Sequence, residues 1–227
     1  LPSGEQRIVA AKRALETLVA DVLPAGTPFA LRAFGHIAPS SCETRLDVAL
    51  EPLDRGAALA AVRALVPKLL SQTPLADSLS AAVDDLADAS GPRTVFLITV
   101  GEESCGGDPA AAAQALRDSG HVALAIVSLA LDAEGLATFE ALADGIGATY
   151  IAVGSYEALA AAIAEALVPG FEVYDLAGAL VGSGRVGDTI QLPMGSYTVR
   201  VLSTPVEVFE GVKVPGDGAV RVSAGVR

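Results

Sequence analysis

Cys42 and Cys105 are the only two cysteines of a chain of 227 residues, and each stands in a polar loop that follows an apolar run. Joined as a disulfide, they would close a long loop and stabilise the fold by about 3–5 kcal/mol. That bond implies an oxidising compartment. Unjoined, they would be two thiols of a cytosolic protein, although Cys105 lies among Ser, Gly and Glu, the setting of a surface loop. A catalytic thiolate working with His36 or His121 needs an electropositive surrounding. Glu102, Glu103 and Asp108 provide the opposite. These acids could attract a hard cation through their oxygens, or could solvate the loop and cap a helix. The chain carries no G-x-x-x-x-G-K-[ST], no G-x-G-x-x-G, no G-x-S-x-G and no C-x-x-C or His-rich metal spacing. With no constellation for catalysis, a non-enzymatic role is expected.

These residues need elements to position them. Arg93–Pro109, RTVFLITVGEESCGGDP, begins as a continuous apolar run at Thr94–Val100, the pattern of a parallel strand covered on both faces. It breaks into a glycine-rich turn at the carboxyl end, where α/β sheets bind ligands. Upstream, Ser3–Gln6 has the capping-box form, and Ile8, Ala11, Leu15, Leu18 and Val22 recur at helical spacing. Strands are predicted at Phe29–Phe34 and Thr44–Leu50, with His36 and Cys42 in the loop from Gly35 to Glu43. Asp54 caps a helix to about Val66. Thr73-Pro74 supplies N-cap and N1 for the stripe Leu75, Leu79, Ala82, Val83, Leu86, and Asp108-Pro109 repeats that logic for a helix to about Asp118. A strand at Val122–Leu129, a helix through Leu136–Ile146, a strand at Thr149–Val153 and a helix capped by Ser155 complete the alternation. Residues 1–168 therefore read as an α/β domain, a doubly wound, mostly parallel sheet with one antiparallel edge strand.

At Val168-Pro169-Gly170 the periodicity changes. The runs FEVYD, DTIQL, SYTVRV, VEVFEGVKV and AVRVS, separated by turn signals such as Pro215–Gly218, predict a small all-β, sandwich-like module over residues 171–227. Hydrophobic residues make up 52% of the chain, enough for a sizeable core, and the net charge is −12. That charge, with no basic stripe, excludes nucleic acid as a partner. No run reaches the roughly 18–20 apolar residues of a transmembrane span. Residue 1 opens no leader pattern and is not Met, so the chain reads as a fragment or processed form. Without Asn there is no N-glycosylation acceptor.

FLITVGEESCGGDP resembles the fourth strand and following loop of von Willebrand factor type A domains of the bacterial secreted branch, (L/V)(V/I)TDGEE(T/S)CGGDP. Arg32–Gly35 with His36 and then Cys42-Glu-Thr44 resembles that branch's second strand and "GH…C-x-T" loop. Ser71-Gln-Thr73-Pro74 is similar to its "G-x-T-P" turn. The resemblance spans residues 1–167. It implies a Mg²⁺-type metal-ion-dependent adhesion site built from a D-x-S-x-S turn, a Thr and a strand-ending Asp. Thr73 matches the Thr, but Val100 stands where the Asp would be and cannot coordinate a hard cation. The D-x-S-x-S turn and the central first strand are not found. A degenerate site is thus expected, with Thr73 as its remnant and Mg²⁺ weak at best. The branch's second cysteine pair falls on Ala110 and Ala141, which leaves Cys42 and Cys105 as the remaining pair. Leu192-Pro-Met-Gly195-Ser-Tyr197-Thr-Val199 resembles the L-P-x-G-x-Y-x-V turn of carboxypeptidase-regulatory-like and Ig-like β modules.

The function implied is recognition of a protein or extracellular ligand, by an exported, periplasmic or cell-surface protein. The binding face would comprise His36, Glu43, Ser71–Thr73, Glu102, Glu103 and Asp108. The rival readings are a Mg²⁺-dependent adhesion module with ligands upstream of Leu1, and a cytosolic chelatase-like subunit.

Overall fold

A computed structural model describes residues 7–89, 93–120, 122–129, 131–202, 206–216 and 220. The Ser3–Gln6 capping box, His121, the end of the Pro215–Gly218 turn and most of the AVRVS run lie outside these. The chain divides into two compact units, Leu1–Ala164 and Glu165–Arg227.

The first unit opens with helix α1 (Arg7–Thr17), which widens into a π-helical turn at Leu18–Val22. Strands β1 (Pro28–Phe34) and β2 (Thr44–Pro52) form a hairpin, followed by α2 (Arg55–Ala64) and α3 (Leu75–Asp85). Then come β3 (Arg93–Thr99), α4 (Pro109–Asp118), β4 (Val122–Leu129), α5 (Ala133–Ile146), β5 (Thr149–Val153) and α6 (Tyr156–Ala166). Local chemistry sets most of these starts. Asp54, Asp108 and Asp132 each accept bonds from amides of the first turn of α2, α4 and α5, and Ser155 does the same before α6. Gly147 ends α5 in the left-handed conformation, the usual helix stop.

Strands β3, β4 and β5 form a parallel sheet in that order, with Thr99 opposite Ser128 and Ala125 opposite Thr149. Strand β4 is the middle one, and its continuous apolar sequence is buried along nearly its whole length. The main core joins Leu75 and Leu79 of α3, Leu116 of α4, Leu97, Leu124 and Ile126 of the sheet, and Phe139 of α5. Phe139 stacks near Tyr150 at a centroid distance of 6.5 Å.

The expected single sheet is not what forms. Among the described residues, β1 and β2 pair only with each other, antiparallel, as a separate two-stranded sheet. No described strand hydrogen-bonds to the remaining edge of either β1 or β3, so the hairpin lacks a ladder to the parallel trio. Side chains hold it instead. Helix α3 packs against both hairpin strands, and Phe34 packs on the main core. Arg32 makes a bidentate pair with Asp85 of α3, Nε to Oδ2 at 2.6 Å and Nη2 to Oδ1 at 2.7 Å. This hydrogen bonding raises the Arg32 pKa above its ordinary value, against the opposing effect of burial.

The second unit is one four-stranded antiparallel sheet with order β7-β6-β8-β9. Its strands are β6 (Gly170–Tyr174), β7 (Leu180–Arg185), β8 (Gly195–Val201) and β9 (Glu207–Val214). A second layer, as in a sandwich, is not found among the described residues. DTIQL is not a strand. Ile190 and Leu192 instead reach from a loop onto the core of Val173, Tyr197 and Val199. The strand is LVGSGR, whose glycines hide it in the sequence. A Cβ at Gly182 would lie 2.8 Å from Ile190 Cδ1, and one at Gly184 would lie 2.9 Å from Phe171 Cζ. The turn after Leu192 is closed by Tyr197, whose hydroxyl donates to the Pro193 carbonyl at 2.8 Å.

Candidate functional site: a platform of three cross-tied loops

Three loops of the first unit are tied together: 35–43 inside the hairpin, 65–74 before α3 and 100–108 after β3. The Cys42–Cys105 disulfide joins the first and third, with Cα atoms 5.9 Å apart. The second and third exchange two bonds, one to a side chain and one to the main chain: Thr73 N–H donates to Ser104 Oγ at 2.7 Å, and Ser104 N–H donates to the Thr73 carbonyl at 3.1 Å. The first and second meet at Gly35, whose carbonyl accepts from Lys68 N–H at 2.9 Å and from Ser71 Oγ at 2.8 Å.

Glu103 is the organiser of the third loop. Its Oε2 accepts from Ala76 N–H at 2.9 Å and its Oε1 from Cys105 N–H at 2.7 Å. One carboxylate therefore caps α3 from a separate segment and closes its own turn. A negative charge at a helix N-terminus is favourable. Gly107 permits this approach, because a Cβ there would lie 2.4 Å from Ala76 Cβ. Thr73 is not the N-cap that its spacing suggests. Helix α3 starts at Leu75, the capping position is Pro74 with no side-chain bond, and Thr73 serves through its backbone. The Thr99 side chain is buried at the end of β3 and donates to the Gly101 carbonyl at 2.7 Å.

The expected binding residues divide. Glu43, Glu102 and Asp108 are exposed, although Asp108 Oδ1 also caps α4 through Ala110 and Ala111. His36 and Glu103 turn inward. His36 is buried with Nε2 3.1 Å from Asp47 Oδ2, without hydrogen-bond geometry, and Arg45 holds the other Asp47 oxygen at 2.6 Å. His36 is 9% exposed, so little of its surface meets solvent where a binding face was expected. His121 lies outside the described residues.

Val100 offers no side-chain oxygen, and Asp108 and Glu103 are engaged in caps. Among the described residues no cluster of three or more His, Cys, Asp and Glu is placed to hold a metal ion.

Sequence reasoning missed the most exposed part of the platform. Leu69 and Leu70 are 81% and 78% exposed, with Val66 at 58% in the same loop and Val100 at 37% in the third. Leu70 has φ +53° and Ser40 has φ +54°, the non-glycine residues with positive φ among those described. They meet through a bond from Ser40 N–H to the Leu69 carbonyl at 3.3 Å. The signal available was weak: two leucines between Pro67 and Thr73 that belong to neither flanking helical stripe.

A Leu in the left-handed region is strained by about 1–2 kcal/mol. Glycine removes that strain while adding about 0.5–1 kcal/mol of unfolded-chain freedom. Leu70→Gly is therefore expected to raise the thermal midpoint, followed by circular dichroism, by about 1–3 °C. A fall would show that the Leu70 side chain packs more than its exposure indicates.

No family model matches the sequence. Solved structures share the fold, two of them as follows. A von Willebrand factor type A protein from Catenulispora acidiphila aligns with a TM-score of 0.56 at 15% identity, over 93% of this chain and 62% of its own. The pilus adhesin SpaC from Lactobacillus rhamnosus GG, in an open conformation, aligns with a TM-score of 0.56 at 13% identity, over 95% of this chain and 36% of its own. This chain thus spans less than two thirds of either. The fold is von Willebrand A-like: mixed α/β, with a parallel three-stranded sheet and separate antiparallel sheets. In sequence, the chain is 32% identical over 163 residues to the uncharacterized protein YwmD of Bacillus subtilis (strain 168), covering 67% of this chain and 71% of YwmD. The chain belongs to the YwmD family.

Proposed function

We propose that this chain is a non-enzymatic recognition module of an exported or cell-surface protein, built on a von Willebrand A-like unit whose metal-ion-dependent adhesion site is degenerate. The observation that carries the reading is the platform itself. Its loops are cross-linked by a disulfide and by main-chain bonds, and two of its acids, Glu103 and Asp108, cap helices. Such a surface presents a fixed shape. The disulfide fits an oxidising compartment, and the adhesin among the structural neighbours fits a binding role. Among the described residues no helix is long and apolar enough to cross a membrane.

Metal titration tests the degenerate site. Adding Mg²⁺ or Mn²⁺ to sub-millimolar levels is expected to leave the thermal midpoint unchanged, because a ligand stabilises only in proportion to its binding to the native state. A rise of several degrees would restore a metal-dependent mode of adhesion.

A further inference from the structure

We propose that Leu69 and Leu70 form a preformed apolar prong that docks into a hydrophobic socket, rimmed by Lys or Arg, on a partner protein. This rests on the recognition reading above and names the surface and the chemistry of the partner.

Scattered surface leucines need no explanation. Here Val66, Leu69 and Leu70 are strongly exposed within five residues of one loop, and exposed apolar side chains with a polar rim are the anatomy of a docking site. The backbone is pinned to hold them out. The Leu69 carbonyl accepts from Ser40 N–H, the Leu70 carbonyl from Gln72 Nε2 at 3.3 Å, and the Lys68 carbonyl from Ser71 Oγ. Lys68 N–H is itself bonded to Gly35. The strained residues Leu70 and Ser40 sit at this junction, and strain that surroundings over-determine concentrates at functional sites. A tip ordered in advance loses little conformational freedom on binding.

Charge selects the partner. The tied loops expose Glu43, Glu102 and Asp108 against the single cation Lys68. The whole chain carries −12. An anionic membrane would repel such a rim, whereas Lys or Arg around an apolar socket would complement it and speed encounter.

The test pans a random dodecapeptide phage library on the full chain, then measures Kd for the enriched peptides as synthesised. Peptides pairing large apolar residues with Lys or Arg are expected. Their affinity should fall at least about tenfold in Leu69→Asp/Leu70→Asp. In Glu43→Gln/Glu102→Gln, affinity and its decline with added salt should both be reduced. Leu69→Ser/Leu70→Gly serves as the second variant should the charged one fold poorly, with the same loss expected. Enriched peptides that bind wild type and both leucine variants equally overturn the prong and leave recognition elsewhere standing. Failure to enrich any peptide overturns the prong and the recognition reading together. Leucine-dependent co-flotation with phosphatidylcholine–phosphatidylserine vesicles, or leucine-dependent self-association in sedimentation, overturns it in favour of a lipid surface or a second copy of the chain.

Discussion

Removing the Cys42–Cys105 bridge, by reduction or as Cys42→Ser/Cys105→Ser, is expected to lower unfolding stability by about 4 kcal/mol. The sequence separation of 63 residues sets this figure, because a longer loop denies the unfolded chain more conformations. For a domain stable by about 5–15 kcal/mol, that is a large share of the total. The effect should appear in urea melts as a lower midpoint, with a changed slope reporting a more open unfolded ensemble. Local structure raises the stake further. The bridge is the covalent tie between the hairpin loop and the loop after β3, where no described ladder joins the two sheets. A loss within about 0.5 kcal/mol, the scatter of neutral surface changes, would sink the claim.

Glu103→Ala is expected to cost about 2–3 kcal/mol, since the two amides that the carboxylate satisfies would lose charge-assisted acceptors in part-buried positions. Glu103→Gln should fall between wild type and Ala, because an amide keeps one acceptor oxygen where the carboxylate has two. The neighbouring Glu102→Ala supplies the contrast. Glu102 is exposed, and its removal should cost no more than about 0.5 kcal/mol. Equal costs at Glu102 and Glu103 in chemical denaturation would mean that the cross-loop cap contributes nothing. Ala76 lies 27 residues from Glu103 in sequence, so loss of this cap should loosen the start of α3 as well as the loop.

Much of the α/β unit was legible in the sequence because its signals are local. Asp108-Pro109 announces α4 with its cap and first residue adjacent, and the apolar run of Val122–Leu129 announces a buried strand. Where the partner is remote, the reading failed. Thr73-Pro74 carries the local form of a helix start, yet Glu103 provides the bond from another loop. LVGSGR concealed β7 because a strand is recognised by its side chains, and this one is lean so that Ile190 and Phe171 can press against it. The hairpin was found, and the want of a central first strand between it and the parallel strands already implied a break in the sheet. His36 carried a functional residue type and proved buried, whereas Leu69 and Leu70 carried an ordinary type in an uncommon exposure. Burial and exposure of loop residues are decided by long-range ties, which a local pattern does not encode.

The cross-ties also set which amides should resist exchange with solvent. Strands β3, β4 and β5 are held in one parallel sheet, while the hairpin is held to the rest of the unit by the Arg32–Asp85 pair, by Phe34 on the main core and by the Cys42–Cys105 bond. Amides held by such ties open only with the structure around them, and free loop amides open locally. The N–H groups of Thr73, Ala76 and Ser104 cross between loops and should therefore exchange more slowly than a loop amide open to water.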